Sequence, residues 1–163
     1  MGHLQGRTAV KDSFECIVEQ LKAFLGPLVS KGTAQMHCVS DTAKEMTVKI
    51  VSRHSDGAPI HMILDEDFGA YLTVGRGSIF EIPFEGRRYT QESFTEDVKS
   101  LIEGIIKNGF EEEILILGGV VAGASGAIKR GGAISADIRE SWRKIGLRVF
   151  AKRTREHHLY SPY

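Results

Sequence analysis

Between Ala58 and Ile106 the apolar residues change their period. They alternate at Ile60, Met62 and Leu64, again at Leu72 and Val74, and again at Phe80, Ile82 and Phe84. From Phe94 they recur at helical spacing, through Val98, Leu101, Ile102, Ile105 and Ile106. Period two gives a strand with one apolar face; the later spacing gives a helix with one apolar stripe. Neither can leave that surface in water, and the two can bury each other. Ser55-Asp56-Gly57, Asp65 to Gly69 and Gly75-Arg76-Gly77 punctuate the strands with turn residues. Their spacing is too short for parallel crossovers, so the strands form an antiparallel meander.

The flanking segments extend this pattern. Phe14, Ile17, Val18, Leu21, Leu25 and Leu28 make an apolar stripe, with Asp12 and Glu15 as a capping-box start and Gly26-Pro27 as the stop. They predict a first helix over 13–25, ended or kinked at Gly26-Pro27 with at most a loose extra turn beyond. Residues 35–39 read as a short candidate strand, and 46–52, 60–65, 70–74 and 78–83 as the four meander strands. The second helix runs over 92–107 and stops at Asn108-Gly109. A strand over 110–117 follows. Six glycines between Gly118 and Gly132 disfavour a helix there, and a hairpin is the preferred reading. Ile134, Ile138, Trp142 and Ile145 suggest a third helix capped by Ser135, and 147–151 a last strand. The expected fold is α+β: an N-terminal helix, a four-strand antiparallel meander, an amphipathic helix on one sheet face, and a mixed glycine-rich C-terminal part. One domain is expected over 1–163, with mobile ends at 1–10 and a polar tail at 153–163.

Charge narrows the function classes. The 163 residues carry 21 basic and 21 acidic side chains, so the chain has no overall attraction for nucleic acid or an anionic membrane. The distribution is uneven. Residues 1–127 hold 12 Lys/Arg against 18 Asp/Glu, and 128–163 hold 9 against 3. No apolar run is long enough to span a bilayer, no secretory leader is visible, and two cysteines, Cys16 and Cys38, make no disulfide framework. A cytoplasmic location is the expectation.

The chemical motifs are sparse. Asp65, Glu66 and Asp67 lack the spacing of a calcium loop and read as a solvated turn, and no histidine pair has zinc-ligand spacing. The run Gly123 to Arg130 fits neither a phosphate loop nor a nucleophile elbow, although Lys129 and Arg130 could hold an anion there. No cofactor signature and no catalytic set emerge, so the reading leans away from an enzyme. Lys144, Arg148 and Lys152 on one side, and Glu111, Glu112 and Glu113 on the other, are the candidate partner contacts. The architecture resembles small bacterial inhibitor or immunity proteins, without any motif in common. That resemblance implies a module that masks a protein partner. The alternatives are a ligand or catalytic pocket between the sheet and helix 92–107, and nucleic-acid binding through the basic segment 128–156, the less favoured of the two. A homodimer through an exposed strand after the glycine-rich turn is also admitted.

Overall fold

The computed structural model describes residues 3–40, 44–83, 91–129, 132–137 and 153–163. Among them are two helices, α1 (His3–Ser30) and α2 (Gln91–Asn108), and nine strands. The strands are β1 (Ala34–Ser40), β2 (Glu45–Ser52), β3 (Ile60–Asp65), β4 (Gly69–Val74), β5 (Ser78–Pro83), β6 (Phe110–Leu117), β7 (Val120–Ile128), β8 (Gly132–Asp137) and β9 (Arg153–Tyr160). They form two antiparallel sheets, a five-stranded one in the order β1-β2-β3-β4-β5 and a four-stranded one in the order β8-β7-β6-β9. The fold is α+β.

The larger sheet and both helices share the core. Val48, Ile50, Ile60, Met62, Leu64, Leu72, Val74 and Phe80 line one sheet face and are buried. Ile17, Leu21 and Leu25 of α1 and Phe94, Val98, Ile102 and Ile105 of α2 close over them. Each such side chain contributes roughly 1.5–3 kcal/mol when fully removed from water. The face of β3 toward the core is set by its alternation, Ile60, Met62 and Leu64 buried and His61, Ile63 and Asp65 half-buried. The short connections follow local rules. Asp65 Oδ1 accepts from Asp67 N at 2.8 Å and Phe68 N at 3.0 Å, closing the β3–β4 turn. Gly118 and Gly119 take φ of +57° and +81°, the mirror-image backbone of a two-residue hairpin between β6 and β7. The hairpin reading of the glycine-rich run is the one observed.

Four expectations need correction. The meander has five strands, because 34–40 pairs along its whole length with β2. The first helix is longer at both ends. It begins at His3, leaving Asp12 and Glu15 mid-helix, and passes Pro27 by one further turn. That turn survives the missing Pro27 N–H because Leu28 packs on the core and its carbonyl accepts from Thr33 N at 2.9 Å and Thr33 Oγ1 at 3.1 Å. Gly32, at φ +73°, ends the helix instead of Gly26. The third helix is contradicted where it is described, since 132–137 is a strand on β7. Ile134 fits strand and helix patterns equally, and pairing with β7 decides. The remainder of that helix and the strand at 147–151 lie outside the described residues. Finally, the polar tail is β9, paired residue for residue with β6 from Phe110↔Tyr160 to Leu117↔Arg153.

Candidate functional site

The two ends of the sheets differ in chemistry, and each holds a cluster of polar groups. The first surrounds Glu112. On β6 the alternation puts Phe110, Glu112 and Ile114 on the buried side. Glu112 is 1% exposed, so it is not the surface contact that its place between Glu111 and Glu113 suggests. Its carboxylate meets the β4–β5 turn. Oε1 accepts from Gly77 N at 2.8 Å, Ser78 N at 2.7 Å and Ser78 Oγ at 2.9 Å. Oε2 accepts from Arg76 N at 2.9 Å and from the Tyr160 hydroxyl at 3.1 Å. Successive backbone N–H groups in a turn form an anion-binding nest, and here the anion is the chain's own carboxylate. With five donors, both oxygens of Glu112 are engaged by the fold. Among the described residues no buried side-chain polar atom lacks a partner.

Small residues permit this approach. A side chain at Gly126 of β7 would collide with the Phe110 ring and lie 2.6 Å from Ser78 Oγ. A Cβ at Gly77 would lie 3.5 Å from that of Ala124. Gly126 of β7 thus serves the contact between the sheets. Outside Glu112, Arg76 Nη1 reaches Glu156 Oε2 at 2.7 Å and His158 Nε2 at 3.1 Å, and the His158 ring stacks on Tyr160. Burial first, and the Glu112 carboxylate second, push the Tyr160 phenol up to about 12.

The other candidate residues distribute as follows. Glu113 is exposed and pairs with Arg155 of β9, Nη1 to Oε1 at 3.1 Å, while Glu111 is half-buried opposite Leu159. Lys129 Nζ donates to the Tyr160 carbonyl at 2.9 Å, so it fastens the end of β9. Arg130, Lys144, Arg148 and Lys152 lie outside the described residues. Part of the charge segregation is therefore satisfied inside the molecule, acidic β6 against basic β9.

The second cluster lies at the opposite end, between α1 and β1. Glu15, Val18, Glu19, Lys22, Cys38, Val39 and Met46 line a groove of about 350 Å³. Val18, 5% exposed, and half-buried Met46 give it an apolar floor, and Val39 of β1, which borders it, is 55% exposed. Glu15 and Glu19 stand exposed on the helix rim, with Lys22 Nζ 2.8 Å from Glu19 Oε1. Hydrogen bonding to Glu19 raises the Lys22 pKa, and partial burial raises that of the Cys38 thiol. Among the described residues β1 has a strand neighbour on one side only. Its sequence, Ala34-Gln-Met-His-Cys-Val-Ser40, has no Lys, Arg or Pro, and its register with β2 has no bulge. Those are the devices by which edge strands avoid pairing with other chains. Their absence in 34–40 is the signal that a sequence reading centred on catalytic motifs passes over.

No family model matches this chain, and no curated protein or solved structure does. The functional reading rests on these two clusters.

Proposed function

We propose that this protein is a binding module that holds a protein partner through the open edge of its larger sheet, and acts by covering part of that partner. The supporting observation is β1: seven regular strand residues, unpaired on one side among the described residues, beside a groove with an apolar floor. Unpaired backbone donors and acceptors add a strand readily, because each new ladder bond satisfies a group otherwise left to water. The Glu112 cluster supports the same reading from the other side. Its carboxylate takes five donors from the fold and serves cohesion between the sheets.

The test is affinity capture from host lysate at low and high salt, with the wild-type chain and with Val39→Lys. A stoichiometric protein retained by the wild type and lost with the variant is the expected result. Recovery of nothing, or of the same protein on both baits, would reject the edge as the binding element. A small-molecule site in the same groove is the second reading, favoured by its volume, which falls within the roughly 300–1,000 Å³ range of ligand pockets. It predicts thermal stabilisation by a compound that slows alkylation of Cys38.

A further inference from the structure

The groove also specifies what kind of segment it would hold. We propose that it receives an extended peptide strand bearing an apolar side chain and, two positions away on the same side, a Lys or Arg. This rests on the protein-binding reading above and names the chemistry of the partner.

The argument begins with geometry. A strand added beside β1 would lie roughly 4.8 Å from it, with alternate side chains on opposite faces of the extended sheet. The helix-side residues of β1 are Ala34, Met36 and Cys38, since these pair with inward-facing Ser52, Ile50 and Val48. Every second side chain of the added strand would therefore point toward α1. One of them lies beside Cys38 and faces Val18 of α1, in the apolar part of the groove. Its neighbour two positions along reaches the rim at Glu15 and Glu19. Among the described side chains, two carboxylates there face one ammonium, Lys22, already engaged by Glu19 at 2.8 Å. The local excess is negative, and a cation on the incoming strand complements it. The intervening residue, on the far face, would lie beside Val39 and His37, where an uncharged β-branched residue fits best.

The same geometry argues against a second copy of this chain as the occupant. In a β1–β1 pairing the helix-side residues offered to the groove would be Ala34, Met36 and Cys38 again. None carries a positive charge to meet Glu15.

The experiment is selection of displayed random peptides on the full-length protein, with counter-selection on Val39→Lys and on the double variant Glu15→Lys/Glu19→Lys. All three positions are exposed, so the variants should fold. The expected outcome is enrichment of sequences with an apolar residue two positions from Lys or Arg. A synthetic peptide of the enriched sequence should protect amides of 34–40 from hydrogen exchange and slow alkylation of Cys38 relative to Cys16. It should bind the double variant about tenfold more weakly, as expected for losing two exposed charge pairs. Enrichment of acidic or uncharged sequences, or undiminished binding to the double variant, would overturn the proposed chemistry. No enrichment over Val39→Lys would overturn the groove as a peptide site. A lysate partner that still depended on Val39 would then leave the broader module reading standing. A concentration-dependent dimer in sedimentation, abolished by Val39→Lys, would assign the edge to a second copy and overturn the proposal.

Discussion

Among the described residues β1 and β9 are both outermost strands of their sheets, and they are built in opposite ways. Strand β9 reads Arg-Thr-Arg-Glu-His-His-Leu-Tyr, and its side chains are tied to the body of the molecule. Arg155 holds Glu113, Glu156 holds Arg76, and the Tyr160 hydroxyl donates to buried Glu112. Strand β1 carries no formal charge and exposes Val39. A charged edge deters strangers and, when its charges are paired inward, also joins one sheet to the other. An uncharged, regular edge does neither. The difference separates a part of the molecule made for cohesion from a part left available.

The sharpest way to break this contrast is to remove the anchor beneath β9. Glu112→Ala would leave three backbone N–H groups and two hydroxyls without their shared acceptor in a buried site. The expected loss is about 3–5 kcal/mol, read as a lower urea midpoint, with early hydrogen exchange in β6 and β9 and late exchange in β1 to β3. Uniform loss across both sheets would show that they do not differ in what anchors them. Gly126→Ala tests the same contact from β7. Its methyl would displace the Phe110 ring, at about 1–3 kcal/mol.

How much of this was legible beforehand depends on the range of the interactions. Alternation at Ile60, Met62 and Leu64 and the helical stripe of 94–106 are local patterns, and they located the meander and α2 correctly. Burial of Glu112 is a long-range fact. Nothing within a few residues of three consecutive glutamates says that the middle one meets a turn 34–36 positions earlier. For the same reason the sequence of β9 reads as a polar tail. Its alternation runs through Glu156, His158 and Tyr160, residues whose polarity conceals an inward face until Arg76 and Glu112 are opposite them. Pro27 misled in the other direction, since its local penalty is real and Leu28 packing overrides it. The groove was missed because it needs α1 and β1 side by side, though the absence of charge in 34–40 was visible.

Tyr160→Phe gives a smaller and more specific effect. Loss of the bond to Glu112 should cost about 1 kcal/mol at neutral pH. The alkaline behaviour follows from the sign of the shift. Folding holds the phenol neutral and raises its pKa from 10.0 to about 12. The associated stability is fully present below pH 10 and is lost as pH rises through the folded-state value. Tyr163, whose hydroxyl donates to the Ala58 carbonyl, is also pushed up by burial. In a spectrophotometric titration Tyr160 and Tyr163 should therefore ionise late. Tyr160→Phe should remove one late proton and flatten the fall in stability between pH 10 and 12. An unchanged alkaline profile would mean that Tyr160 is not locked to Glu112.

The smallest stability effect belongs to β1, and it is the most informative about the open edge. Val39→Lys places a charge on a side chain that is 55% exposed, so the urea midpoint should move by less than about 0.5 kcal/mol equivalent. The same substitution installs the edge-protecting charge that β9 already has and β1 lacks. Its effect should therefore fall on association alone, with partner retention lost while fold and thermal midpoint stay in place. A large fall in stability would place Val39 inside a structural contact and remove the distinction between the two edges. Undiminished association at unchanged stability would leave β1 exposed yet idle, and the binding surface would have to be sought on the outer face of the smaller sheet, where Leu159 is 60% exposed beside Glu111.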